Sequence, residues 1–132
     1  MTRRGHQAKR PGAALVETAL AMVLVIPLVF GAFEGSMALY AVHSMTNAAR
    51  DAARALAVRG ATPAQAQTVA LSRLTHINAH FTVTATQPPP GSPNRDCTVT
   101  ITVPRSEVSL HIPGLAEGAT LRAEVTMRKE GD

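Results

Sequence analysis

The chain has 132 residues, 45% of them apolar and 3% aromatic, with one cysteine and a formal charge of +4. That length leaves room for one small domain beyond a hydrophobic segment, and the single Cys97 excludes an internal disulfide framework. The charge also argues against nucleic-acid binding: Arg3, Arg4, Lys9 and Arg10 carry the whole excess, because nine Lys/Arg and nine Asp/Glu after Gly12 cancel, whereas a nucleic-acid binder needs its basic surface on the folded part.

Residues 1–12 read as a polar, basic cytoplasmic leader, expected to lack fixed structure or to be removed. Arg3-Arg4 is a twin arginine without the usual hydrophobic follow-on. Residues 13–33 form an apolar run broken only by Glu17. As a helix rising 1.5 Å per residue it would span roughly 32 Å, close to the hydrocarbon thickness of a bilayer. The basic leader predicts a cytoplasmic N-terminus and export of everything after the run. A charge inside such a run is costly, so Glu17 is expected to have a task.

The helical pattern continues over 34–58, with Pro27 more apt to kink the membrane segment than to end it. Beyond Glu34 the pattern is amphipathic. Ala38, Ala41, Met45, Ala48, Ala52 and Leu56 keep helical spacing, while Arg50, Asp51 and Arg54 fall off that line. Arg59-Gly60 reads as the stop. A second helix is predicted over 62–78: Thr62 caps, Pro63 takes the first helical position and Gln65 completes a capping box. Its apolar face is Ala66, Val69, Ala70, Leu74 and Ile77.

The period then changes to two, which predicts half-buried strands near 80–86, 96–103 and 119–128. The Pro-rich segment Gln87–Arg95 separates the first two, and Pro104 and Pro113-Gly114 bracket a second irregular connector. The fold class is therefore α+β: a long N-terminal transmembrane and amphipathic helix, a shorter second helix, and a small antiparallel sheet of about three strands. One sheet face needs cover, and the outer half of the first helix plus the second helix can supply it. Trp is absent, so the core must rest on Val, Leu, Ile, Ala and Met. Cys97 reads as a small buried hydrophobe, with an intermolecular bridge in an oxidising space as the alternative.

Gly12-Ala13-Ala14-Leu15-Val16-Glu17 sets a glycine directly before the apolar run and a carboxylate five residues after it. This resembles the processing site of type IV prepilins, where a membrane peptidase cuts after the glycine. The resemblance implies a new amine at Ala13, and a Glu17 that pairs with the amine of a neighbouring subunit during assembly. Physically, two charges in a dry setting each need the other. Otherwise, Glu17 reaches for the interface beside Lys9 and Arg10.

With Gly31-Ala32-Phe33-Glu34, the run Thr46-Asn47-Ala48-Ala49-Arg50-Asp51-Ala52-Ala53-Arg54 and the closing Leu121–Arg128, the chain resembles the TadE-like family over nearly its whole length. Its members are minor pilins or pseudopilins of the bacterial tight-adherence (Tad/Flp) pilus systems. The resemblance implies a single-pass protein of the inner membrane, with a cytoplasmic N-terminus and a periplasmic domain, or a place outside the cell within a pilus. It implies as partners a prepilin peptidase, other pilins or Tad assembly proteins, and membrane lipid. There are two departures: Ala52 stands where relatives often have glycine, and Cys97 is single where some relatives carry a pair.

Glu34, Asn47, Arg50, Asp51 and Arg54 are candidates for a subunit contact. The plainer reading of Glu34 is a polar residue where the helix leaves the bilayer, and of the others a solvated face with local ion pairs. His76 and His80 have the spacing of a helical metal pair but no third ligand, so no metal or other cofactor is expected. There is no nucleophile elbow, phosphate loop or Cys-x-x-Cys, and no catalysis is expected. Two other readings stay open. In one, a signal peptidase cuts after Ser36-Met37-Ala38 and releases a small α+β domain starting at Leu39. In the other, the chain is an uncleaved, membrane-anchored binding module.

Overall fold

The computed structural model describes residues 11–58, 60–89, 91–110 and 118–129. The leader residues Arg3, Arg4, Lys9 and Arg10, the Arg59 of the predicted stop and the Pro113-Gly114 of the second connector lie outside them. In chain order the elements are α1 (Pro11–Ala57), α2 (Pro63–Leu74), β1 (Thr82–Thr86), β2 (Asp96–Pro104), a single 3-10 turn (Arg105–Glu107) and β3 (Thr120–Arg128). The chain divides into two units, at Phe33 and Glu34.

The described part of the first unit is helix alone. Every large apolar side chain from Leu15 to Phe33 is exposed, Leu24 at 74% and Leu28 at 72% among them. Leaving such side chains in water forgoes roughly 1.5–3 kcal/mol each, so a sequence that displays them continuously is written for an apolar surrounding. Its one hydroxyl, Thr18 Oγ1, donates to the carbonyl of Ala14 at 2.8 Å and so needs no water. Pro27 lies inside the helix without ending it. By length and composition α1 can cross a membrane.

The second unit is the α+β domain. The amphipathic stretch of α1 buries Ala41, Met45, Ala48, Ala49, Ala52, Ala53 and Leu56, none more than 1% exposed. Most of this stripe is alanine, which lets the packed elements approach closely. α1 ends at Ala57, and Gly60 turns the chain at φ 80°, a left-handed conformation that glycine adopts without a Cβ penalty. The predicted capping box is present: the Thr62 amide donates to Gln65 Oε1 at 3.0 Å, and the Gln65 amide to Thr62 Oγ1 at 3.4 Å.

α2 stops at Leu74, short of the predicted 78. The β-branched Thr75 becomes its C-cap and turns its hydroxyl back to the Ser72 carbonyl at 3.3 Å, a local bond that competes with helix continuation. Ala66, Ala70 and Leu74 are buried, with Val69 and Ile77 packed beside them.

The sheet is antiparallel in the order β1-β2-β3. Its register aligns Val83 with Ile101 and Ala123, and Ala85 with Val99 and Val125. In the central strand Cys97, Val99, Ile101 and Val103 are fully buried, and they share one core with the α1 stripe and α2. The edge strands are half-buried. α2 is tied to β1 where Gln67 Nε2 donates to the Val83 carbonyl at 3.3 Å. The opposite face is polar, with Thr84, Thr100 and Glu124 in one row and Thr86, Thr98 and Thr126 in the next.

Candidate functional site

The features of the predicted processing and assembly motif fall on the first turns of α1. Gly12, Ala13 and Glu17 are helical and exposed. A Cβ added at Gly12 would meet nothing within 4 Å among the described residues, so their packing does not require a glycine there. Ala13 and Glu17 are four residues apart, hence about 6 Å along the axis and on neighbouring faces of consecutive turns. An amine freed at Ala13 and the Glu17 carboxylate would therefore share one exposed patch of the helix.

Glu34 has a different setting from the polar helix exit that its sequence position suggests. It is 2% exposed, the one buried charged residue among those described. Its Oε2 accepts the amide of Leu110 at 2.9 Å. Its Oε1 lies 3.7 Å from Arg105 Nε, an ion-pair distance too long for a hydrogen bond, and neither of these two buried atoms has a hydrogen-bond partner. Arg105 is held in turn by its own backbone: its amide donates to the Ala119 carbonyl at 2.8 Å, and its carbonyl accepts from Val108 at 3.1 Å. Glu34 thus fastens the segment after β2 to α1. Nothing in the sequence marks Arg105 or Leu110 as its partners.

The second group of candidates separates. Asn47, Arg50 and Arg54 are exposed, away from the core stripe. Asp51 is half-buried and pairs with Arg73 of α2 at 3.1 Å. This bridge joins two helices, where the sequence suggested pairing within α1. With both side chains largely exposed it contributes a few tenths of a kcal/mol.

His76 and His80 lie beyond the end of α2 and take different neighbours. The His76 ring meets Tyr40 edge-on, with centroids 6.0 Å apart. His80 donates its amide to Glu107 Oε2, with Nδ1 3.1 Å from the same oxygen. The donated amide, and then the ring, hold the Glu107 carboxyl below its ordinary value. On the outer sheet face, Arg122 donates to Glu124 Oε2 and Thr100 Oγ1 to the same oxygen at 3.3 Å; the Arg122 contact chiefly lowers the Glu124 carboxyl. Among the described residues no three His, Cys, Asp or Glu converge as metal ligands. Cys97 is fully buried and unbridged, and burial pushes its thiol up.

Compared with known families, residues 12–54 match the TadE-like protein family, the one that the motifs resemble. The match begins at Gly12, ends at Arg54 and covers about a third of the chain, almost all of it α1. It contains Glu17, Glu34, Asn47, Arg50 and Asp51 and stops before α2 and the sheet. No curated protein and no solved structure matches the chain.

Proposed function

We propose that this TadE-like chain is a Tad pilus-associated protein that works as a minor pilin or pseudopilin. It is inserted in the bacterial inner membrane by residues 13–33, with the N-terminus cytoplasmic and the domain periplasmic, or outside the cell once incorporated in a pilus. A prepilin peptidase cuts after Gly12. The freed Ala13 amine of one subunit then meets Glu17 of another, and the exposed apolar helices pack together or against lipid. Asn47, Arg50 and Arg54, exposed on the outer half of α1, are offered to other pilins or Tad assembly proteins, while Glu34 and Asp51 already have partners within the chain. The role is structural: it assists pilus assembly, adhesion or secretion, and asks for no catalytic group or cofactor.

The observation that carries this reading is the coincidence, within the TadE-like segment, of Gly12, whose missing side chain faces open space among the described residues, with Glu17 at the head of an exposed apolar run. Release by a cut after Ala38 fits less well. The helix runs unbroken through that site, and Glu34, upstream of it, is already a buried part of the domain. The test is the N-terminal residue of the membrane-bound protein expressed with a Tad-type prepilin peptidase, read by mass spectrometry. A start at Ala13 that depends on the peptidase is expected. A soluble product starting at Leu39 would make this a secreted domain, and an intact leader an uncleaved anchor.

A further inference from the structure

The two edges of the sheet are built differently. β1 is five residues long, and its Val83 carbonyl already accepts from Gln67 Nε2 of α2 at 3.3 Å. β3 is nine residues long, without proline or glycine, and keeps unbroken register with β2. Unpaired sheet edges are normally short, covered or interrupted. β1 obeys that rule and β3 does not.

The ladder also fixes which backbone groups of β3 look outward. The Lys129 amide donates to the Arg95 carbonyl and the Arg105 amide to the Ala119 carbonyl, both at 2.8 Å. Hydrogen-bonded pairs alternate along an antiparallel ladder, so Leu121, Ala123, Val125 and Met127 direct their backbone at β2. Thr120, Arg122, Glu124, Thr126 and Arg128 direct theirs away from it, where no described backbone group meets them. All five are exposed, and Leu121 and Val125 on the other face are only half-buried.

The charges of this edge select what fits it. Arg122 and Glu124 stand two residues apart and pair along the strand. An edge of one sign would repel an identical strand, but this one matches it. When two copies of β3 run antiparallel about Ala123, Arg122 of each faces Glu124 of the other. Thr120 then faces Thr126, and Leu121 faces Val125. Centring on Glu124 sets two carboxylates opposite each other, and centring on Val125 sets Arg122 against Arg128. Centring on Thr126 matches Glu124 with Arg128 but overlaps less of the strand.

We propose that the chain forms a two-fold dimer by pairing β3 with β3 of a second copy about Ala123, which joins two three-stranded sheets into one. A two-fold contact must be self-complementary, and the Arg122–Glu124 spacing meets that condition. Each outward-facing pair exchanges two backbone hydrogen bonds. The four charges alternate in sign across the pair, and Leu121 of one copy covers Val125 of the other. The contact uses the α+β domain alone and is independent of the reading of residues 13–33 as a membrane span.

The test is site-directed bridging in the full-length chain, with Thr120→Cys and Thr126→Cys chains expressed in bacterial membranes together and apart, then mildly oxidised. The native chain, whose cysteine is buried, is the blank. Facing residues would stand about 5.5 Å apart at Cα, within disulfide reach, whereas positions 120 and 126 of one strand are about 20 Å apart. A linked dimer is expected in the mixture and in neither variant alone. Arg122→Glu in both chains should lower its yield about tenfold, and Arg122→Glu/Glu124→Arg, which exchanges the charges, should restore it. No linked dimer in the mixture overturns the proposal, as does a yield indifferent to Arg122→Glu. Bridging of Thr126→Cys by itself would move the two-fold to another register and also overturns it. Self-association of the native chain with no such bridge would assign the contact to another surface, again against the proposal, and would leave the pilin-like reading standing.

Discussion

Glu34 Oε1 and Arg105 Nε face each other across 3.7 Å, both buried and both without a hydrogen bond. Removing one partner of a buried pair strands the other charge, at a typical cost of about 3–5 kcal/mol. Part of the Arg105 side chain still reaches solvent, so we expect about 1–3 kcal/mol for Glu34→Ala or Arg105→Ala. The double variant Glu34→Gln/Arg105→Met should be no worse than either single change, because Gln still accepts the Leu110 amide and no charge is left without its partner. Chemical unfolding of the detergent-solubilised chain measures this. Strict additivity of the two single losses would show that the groups do not interact.

Cys97 offers a different handle. It is fully buried opposite Met127 in the central strand, and its thiol is pushed up by burial. Both effects suppress the reactive thiolate. A thiol reagent should therefore label it only when the domain opens, with a rate that follows denaturant concentration. Cys97→Ser should cost about 1–3 kcal/mol by burying a hydroxyl among apolar neighbours. Rapid labelling of the folded protein, or a disulfide-linked dimer under mild oxidation, would contradict this burial.

The pH dependence of stability has a defined sign. Glu107 and Glu124 both titrate below the ordinary value of 4.5, through the His80 amide and the Arg122 guanidinium respectively. A carboxyl depressed in the folded state stabilises it above the unfolded value, and this contribution is lost as pH falls through the folded value. Stability should thus be level above pH 4.5 as far as these groups are concerned, and should fall as the solution is acidified further. Glu107→Gln should flatten that fall. His80→Ala should flatten it less, because the amide that does most of the work remains. Equal effects of the two variants would show that the ring is the main partner.

How much of this could be read from residues alone depended on the range of the interaction. Of the predicted α1 stripe, Ala41, Met45, Ala48, Ala52 and Leu56 are buried, and Ala38, at its start, is only half-buried. The strands show the same legibility: β2 alternates buried and half-buried residues along Cys97–Val103. Ala49 and Ala53, also buried, widen the stripe beyond what one spacing predicts. The end of α2 was missed because apolar Ile77 continues the period while Thr75 takes the cap. Glu34 was legible as an acid in a notable place, but not as a buried one. Its partners lie far along the chain, in a turn and a loop, and no local pattern reports such a pairing.

The last prediction concerns the head of α1. Gly12→Ala meets no atom and keeps a good helix former at the first turn, so the domain should fold as before. If the peptidase reads the glycine, the mature start at Ala13 should nevertheless disappear. Glu17→Gln should do the reverse, keeping size and hydrogen bonding at an exposed helical position and leaving processing intact. What it removes is the negative charge that meets the Ala13 amine of a neighbour in a dry setting. Stranding that amine at roughly 3–5 kcal/mol corresponds to about 100-fold or more less subunit association. Mass spectrometry of the N-terminus and co-purification with the major pilin separate the two steps. Normal association of a correctly processed Glu17→Gln protein would assign Glu17 to its own membrane interface and away from subunit pairing.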